Sequence, residues 1–313
     1  MALTQAQWEM HQQGIGGSEA AAAVGLSKWQ SPLELYLDKV EPKDQPDEAP
    51  SEAAHFGTVL ESVVADEYSR RTGNKVRRKS AAAVAVNHAF MFAHLDREVL
   101  KQPERTILEC KTAGQYMDSE WGEDWSDEYP DHYRIQVHHQ MICANAKRAH
   151  LAVLIGGRDF RIYDVERDEE LCEALIQREG EFWQRVIDRD PPSPRSLSDM
   201  LLLWPQDMVP QALVDDEHRA KVLELAKIKA VAKELKTQSD ELADDIRRYM
   251  EDASLLVDEE GTVLASWKKS KDSQTFNQTR LKEELPMIWQ EYMEPKKGSR
   301  KFILKVKHNQ EAI

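Results

Sequence analysis

The chain is short of cysteine: Cys110, Cys143 and Cys172 are its only three in 313 residues. An odd number without metal-ligand spacing indicates neither a disulfide framework nor a zinc site, so these read as reduced core side chains. Long apolar runs are absent as well. No stretch reaches the length of a membrane span, and the N-terminus Met-Ala-Leu-Thr-Gln lacks a basic-then-apolar signal pattern. The expectation is a cytoplasmic protein with no membrane partner. The third shortage is positive charge. With 42 Lys and Arg against 56 Asp and Glu, the formal net charge is −14, which excludes indiscriminate binding to nucleic acid, because affinity for phosphate backbone comes from clustered cations. A nucleic-acid enzyme of this composition has to concentrate its positive charge locally.

What is present suffices for a sizeable core: 41% of the residues are hydrophobic, enough for one large domain or two small ones. The most informative stretch runs from Phe90 to Thr112. Asp96 closes one apolar run, and Glu109-Cys110-Lys111 closes the next. Strand alternation puts Glu109 and Lys111 on one face and Cys110 on the other. A turn over Lys101 to Arg105, with Pro103, predicts that the two runs form a hairpin and that Asp96 comes beside the pair. Two carboxylates suit a hard divalent cation such as Mg²⁺, and a neighbouring lysine can orient or activate a water or neutralise charge on a phosphate. Glu-x-Lys alone is an ordinary surface ladder; the aspartate ending the preceding run is what points to chemistry.

Upstream, Gly14-Ile-Gly-Gly-Ser18 precedes an alanine run, with Ser18 as the expected N-cap. The segment reads either as an anion site at a helix N-terminus or as an ordinary loop before a capped helix. Ser31-Pro-Leu-Glu34 is a capping box that starts a helix through about Lys39, and the acidic, Pro-rich segment from Glu41 to Glu52 reads as an exposed loop. A further helix is expected from Phe56 through Arg71. Within it, Thr58-x-x-Glu61 is a capping-box pattern, which favours a cap for Glu61 over a third acidic group in the pocket. Arg70, Arg71, Lys75, Arg77, Arg78 and Lys79 cluster as a candidate phosphate contact or a solvated turn.

Ala81 to Val86 reads as a strand, and the acidic, aromatic segment Gly114 to Tyr129 as a covering loop. After Pro130, Tyr133, Gln136 and Gln140 fall on one helical face; strands over Leu151 to Ile155 and Phe160 to Val165 and a helix over Leu171 to Asp188 follow. Asp190-Pro-Pro-Ser-Pro-Arg195 is the sharpest compositional break and predicts domains over 1–190 and 191–313. Beyond it, Leu225, Ile228, Ala232, Leu235, Ser239, Leu242, Ile246 and Tyr249 form the seam of a long helix expected to pack on partner helices. Asp258 to Gly261 should turn between two short strands, Leu281 to Tyr292 should form a helix, and Phe302 to Val306 a last strand. Lys296, Lys297, Arg300, Lys301, Lys305 and Lys307 make this tail basic.

Asp96, Glu109-Cys-Lys111, the helix carrying Glu61 and the helix carrying Gln136 resemble the core of the PD-(D/E)xK nuclease superfamily. Together, Gly14-Ile-Gly-Gly-Ser18, Ser31-Pro-Leu-Glu34, Phe56-Gly-x-x-x-Glu61 and Tyr133-x-x-Gln136-x-x-x-Gln140 resemble the YqaJ-type, lambda-exonuclease-like viral recombinase family, over Gly14 to Asp188. The resemblance implies an α/β (α+β) fold: a restriction-endonuclease-like core with a mixed central sheet flanked by helices, followed by a mainly helical C-terminal extension. It further implies a prophage alkaline exonuclease that degrades one strand of duplex DNA from its 5′ end. The 3′ overhang would pass to a single-strand annealing protein, and the enzyme would be a ring-shaped homotrimer in the bacterial cytoplasm.

Carried over by residue, Asp96, Glu109 and Glu61 would hold Mg²⁺ or Mn²⁺, two ions per site, with Lys111 positioning the attacking water. Gly17, Ser18, Gln136 and Gln140 would face the terminal 5′ phosphate and the DNA. Three departures stand out: Leu95-Asp96-Arg97 replaces the family's Pro-Asp-Gly, Gln12 and Gln13 stand where an arginine is common, and His138 replaces a second glutamine. His94 or Lys28 could then complete the phosphate clamp. A structure- or site-specific endonuclease and a non-catalytic DNA-binding scaffold are the alternatives. The first calls for a base-reading element and the second for lost acidic residues, and neither is found.

Overall fold

The computed structural model describes residues 5–41, 51–296 and 298–306. Most of the expected acidic loop, as well as Lys297 and Lys307 of the basic tail, lie outside the described residues. After α1 (Gln5–Gln12), the short strand β1 (Ile15–Gly16) leads into α2 (Ala20–Ala23), whose N-cap is Glu19 and not the expected Ser18. Glu19 instead answers a buried ammonium: its Oε1 receives Lys39 Nζ at 2.7 Å and its Oε2 the Gly16 N–H at 2.8 Å. A buried charge demands a partner more strongly than a one-turn helix demands a cap.

The capping box opens α3 (Pro32–Val40) as expected, with Glu34 N–H donating to Ser31 Oγ and Ser31 N–H to Glu34 Oε2. The next helix, α4 (Glu52–Thr72), begins earlier than Phe56, because Ser51 caps it by accepting from Ala54 N–H. Thr58 and Glu61 therefore lie inside the helix. Thr58 bonds back to the Ala54 carbonyl, so the cap expected for Glu61 does not form.

Strands β2 (Val76–Arg77), β3 (Ala83–Ala85), β4 (His88–Ala93), β5 (Arg97–Val99) and β6 (Thr106–Ala113) follow. The hairpin expected across Lys101 to Arg105 forms between β5 and β6 and brings Asp96 beside Glu109, but it uses only the end of the first run, because β4 belongs to another sheet. β4 pairs in parallel with β1 and antiparallel with β3, whereas β6 pairs with β5, Arg97 opposite Leu108. Asp96 thus sits on the link between a small sheet, β1-β4-β3, and the expected mixed sheet, β2-β5-β6-β7-β8.

In the second sheet β7 (Arg148–Ile155) runs parallel to β6, and the crossover between them carries α5 (Asp131–Ala144). The strand β8 (Asp159–Glu166) returns antiparallel to β7, and α6 (Glu169–Asp188) follows. Met91, Val137, Met141, Leu151 and Val153 share one core against α5. Past the proline break, α7 (Leu197–Leu203) is held to the start of α3: buried Asp199 accepts from Ser31 Oγ at 2.6 Å and from Arg195 N–H at 2.7 Å.

The chain divides into two compact units, Met1–Leu203 and Trp204–Ile313. The second contains α8 (Asp216–Met250), the hairpin of β9 (Leu255–Val257) and β10 (Val263–Ser266), and two short helices, α9 (Gln278–Glu284) and α10 (Pro286–Glu291). The single helix expected over 281–292 breaks before Pro286, which lacks the N–H a helix interior needs, and residues 302–306 form no strand. The α8 seam expected to pack on partner helices is exposed, Leu242 at 66% and Tyr249 at 79%. The spacing marks an apolar stripe but does not supply what covers it.

One buried ion pair locks α5. His139 Nδ1 lies 2.8 Å from Glu179 Oε2 and its Nε2 lies 2.9 Å from the Phe92 carbonyl, with neither side chain exposed. Both neighbours are acceptors, so both ring nitrogens donate and the ring is an imidazolium. Burial opposes that charge, but the Glu179 carboxylate outweighs it with help from Cys143, holding the pKa well above the ordinary value. With the folded pKa raised, this stabilisation is complete below the unfolded pKa of about 6.5 and is lost as pH rises through the folded value. His139→Ala leaves Glu179 buried alone, and should cost about 3–5 kcal/mol in urea unfolding at pH 6, the gap from the unmodified protein narrowing at alkaline pH. A gap below about 1 kcal/mol would show that the pair does not lock α5.

Candidate active site

The register of β5 and β6 builds the site. Because Arg97 faces Leu108, the preceding Asp96 comes level with Glu109, and Asp96 Oδ2 accepts the Cys110 N–H at 2.8 Å. Glu109 and Lys111 share a face of β6, with Lys111 Nζ 2.6 Å from Glu109 Oε1. Cys110 faces away, packed with Val64, Tyr68 and Leu108, where burial pushes its thiol pKa far up and keeps it inert.

Helix α5 supplies the opposite wall. Gln136 Nε2 donates to Glu109 Oε1 at 2.6 Å and Gln140 Nε2 to Oε2 at 2.7 Å, two amides about one helical turn apart reaching a single carboxylate. Gly17 lies against Gln140; a Cβ there would stand 3.2 Å from Gln140 Cγ. One turn before Gln136, Tyr133 turns its ring to Lys111, whose Nζ is 5.0 Å from the centroid.

Asp96, Glu109, Lys111, Gln136, Gln140 and Gly17 are thus brought together. Ser18 is exposed and makes no part of this network. Glu61 takes Arg97 Nη1 instead, and Arg97 also donates to the Asp96 carbonyl. The sequence motifs assign Arg97 no role. Its signal was present all the same: an arginine directly after the aspartate, where a glycine was expected, is well placed to answer a nearby carboxylate. Of the suggested clamp residues, Lys28 pairs with Glu120, and His94 stacks on His11 at 6.4 Å.

The electrostatics separate the roles. Burial, and after it the Glu109 charge, raise the Asp96 pKa well above the usual carboxylate range, with a smaller push from Glu61. Burial works against the Lys111 ammonium, but Glu109 and Asp96 together outweigh it and hold its pKa above the ordinary lysine value. Lys111 therefore stays protonated at neutral and alkaline pH. It can donate a hydrogen bond or balance charge, and it cannot take up a proton.

Residues 7–147 match the model of the YqaJ-like viral recombinase domain. The uncharacterized protein YqaJ of Bacillus subtilis (strain 168) is 34% identical over 285 residues, covering 88% of this chain and 86% of that protein. This chain belongs to the YqaJ-like viral recombinase family. Among solved structures, an alkaline exonuclease (LHK-Exo) from Laribacter hongkongensis aligns at 16% identity with a TM-score of 0.46, over 60% of this chain and 94% of that one. A phage related exonuclease from Haemophilus somnus 129PT aligns at 12% identity and a TM-score of 0.39, over 56% and 96%.

In this YqaJ-like chain, no three His, Cys, Asp or Glu side chains converge into a metal cage among the described residues. Mg²⁺ does not require one, since it keeps several waters and binds through one or two carboxylates with substrate phosphate. The donor set fits such an ion. Asp96 and Glu109 offer hard oxygens, and the repulsion that lifts the Asp96 pKa is what a divalent cation beside both would relieve. Glu61 could join only after releasing Arg97.

This repulsion can be measured without any reaction. Asp96→Asn keeps an acceptor for the Cys110 N–H and removes the second charge, so in metal-free buffer at pH 8 the variant should melt higher, by about 2–4 °C per kcal/mol relieved. An unchanged or lower Tm would mean that Asp96 and Glu109 do not repel in the folded protein.

Proposed function

We propose that this YqaJ-like chain is a metal-dependent deoxyribonuclease, working as an exonuclease that digests one strand of linear duplex DNA from the 5′ end. The observation that carries this reading is the convergence of Asp96, just before β5, with Glu109 and Lys111 within the adjacent β6, two oxygen donors beside an ammonium. A divalent ion, Mg²⁺ or Mn²⁺, would be held by Asp96 and Glu109, and when bound supplies positive charge beside the scissile phosphate; two per site is the arrangement we assign. Lys111 donates to the attacking water or to a phosphate oxygen, and its permanent charge opposes the negative charge that builds in the transition state. Gln136 and Gln140 hold Glu109 in one rotamer, so the anionic side of the site is set before DNA arrives.

Both glutamine amides are committed to Glu109. The terminal 5′ phosphate is therefore assigned to the loop of Gly17 and the exposed Ser18. The 3′ single strand left behind is the substrate class of a single-strand annealing protein. Asp96→Ala and Lys111→Ala should each lower turnover of linear duplex by about a thousandfold or more while leaving DNA binding in place. Covalently closed duplex should survive with the unmodified protein, and 5′-phosphate ends should be digested about tenfold faster than 5′-hydroxyl ends, a preference that Ser18→Ala reduces. Near-normal turnover by either alanine variant would remove the catalytic assignment, and cutting of the closed circle would make the enzyme an endonuclease.

An acidic chain, at a net charge of −14, gains by enclosing its substrate so that cations are needed only along a channel. The assembly we assign is a homotrimer. Light scattering of the active protein should return three times the chain mass, and a monomer with full activity would rule the ring out.

A further inference from the structure

The loop between α2 and α3 carries a feature that the catalytic pocket does not use. Trp29 is 65% exposed, and its ring meets His132 edge-on, with centroids 4.6 Å apart at 86°. His132 lies 4.1 Å from the Tyr133 ring, and Tyr133 faces Lys111. A continuous aromatic path therefore leads from the catalytic lysine to an uncovered indole.

Two cavities flank this loop. One, of about 320 Å³, is lined by Leu26, Lys28, Glu120 and His132; His132 is 4% exposed, and its Nε2 has no partner among the described residues. The other, of about 330 Å³, is lined by Lys28, Trp29, Ser31, Glu34, Arg195 and Asp199. Its carboxylates are occupied, Glu34 by the Ser31 N–H and Asp199 by Ser31 Oγ and the Arg195 N–H. Its cations are far less committed. The Arg195 guanidinium lies across Gly25, where the left-handed φ of 78° and the missing side chain admit it; a Cβ would stand 2.0 Å from Nη1. Its one side-chain hydrogen bond among the described residues is a 3.4 Å contact to the Gly25 carbonyl. Among the described residues Lys28 pairs with Glu120, in an exposed contact of the kind that contributes little and exchanges readily.

An exposed aromatic face flanked by weakly held cations is the arrangement that holds single strands: the base stacks, the phosphate meets the cation, and no sequence is read. We propose that Trp29 and Arg195 form a landing site for an unpaired nucleotide, its base on the open face of Trp29 and its phosphate against Arg195 and Lys28. The choice of ligand rests on the DNA-hydrolysing function proposed above. The site would take the strand that is spared, as it leaves the opened duplex end next to Lys111.

The test is fluorescence anisotropy on the full chain in EDTA, with two labelled probes: a blunt duplex and the same duplex carrying a 3′ oligo(dT) extension. The extension should tighten binding by the unmodified protein. Trp29→Ala should weaken the extended duplex about fivefold or more while moving the blunt one by less than about twofold, and Trp29→Phe should restore most of the loss. Arg195→Ala should lower the slope of log affinity against log salt by about 0.7 for the extended probe. Equal losses on both probes, no loss, or no gain from the extension would each overturn the site; the last two would leave the Trp29 face to a protein partner. Digestion assayed in parallel with Mg²⁺ separates this inference from the one beneath it. Activity without a Trp29-dependent gain removes the landing site alone, whereas a Trp29-dependent gain without activity keeps the site and removes the nuclease.

Discussion

A carboxylate taken out of water is tolerated only when its oxygens are met by donors, and Glu109, 3% exposed, has three: Lys111 on its own strand and Gln136 and Gln140 on the crossover helix. This knot ties β6 to α5, so the distance between strand and helix is set by polar contacts as well as by the core around Val137 and Met141. Everything that fixes α5 then serves the site. The His139–Glu179 pair ties it to β4 and α6, and Gly17 lets the preceding loop close on Gln140 without a side chain in the way.

Against that satisfied carboxylate stands one that is not at ease. Among the described residues Asp96 has a single donor, the Cys110 N–H; burial lifts its pKa most, and the like charge of Glu109 lifts it further. Functional sites commonly retain such tension, because groups arranged for a ligand or a transition state are not arranged for the empty fold. Lys111 takes part in both conditions: it satisfies Glu109 and is itself kept cationic by the two acids.

How much of this was legible follows from range. Ser31 and Glu34 announce α3 because a capping box is complete within four residues. Where a distant group competes, local signals mislead. Glu19 displaces Ser18 as the N-cap while its carboxylate answers Lys39, and Arg97 takes the carboxylate of Glu61, which the pattern Thr58-x-x-Glu61 had marked as a cap. On α8 the spacing shows an apolar stripe correctly, but no spacing states what faces it.

The chemical inventory and its alternation follow from residue order alone. Asp96, Glu109 and Lys111 end extended runs, with Glu109 and Lys111 forced to one face by strand geometry, while Gln136 and Gln140 share a helical face by their spacing. These depend on periods of two and 3.6 residues and need no partner. Folding of the whole chain alone settles that Asp96, ahead of the β5–β6 hairpin, also links two sheets, that both glutamines turn to Glu109, and that Trp29 lines one cavity with Arg195. Each of those outcomes is a contest between distant groups for burial and for hydrogen-bond partners, and that contest is settled only when the whole chain is folded.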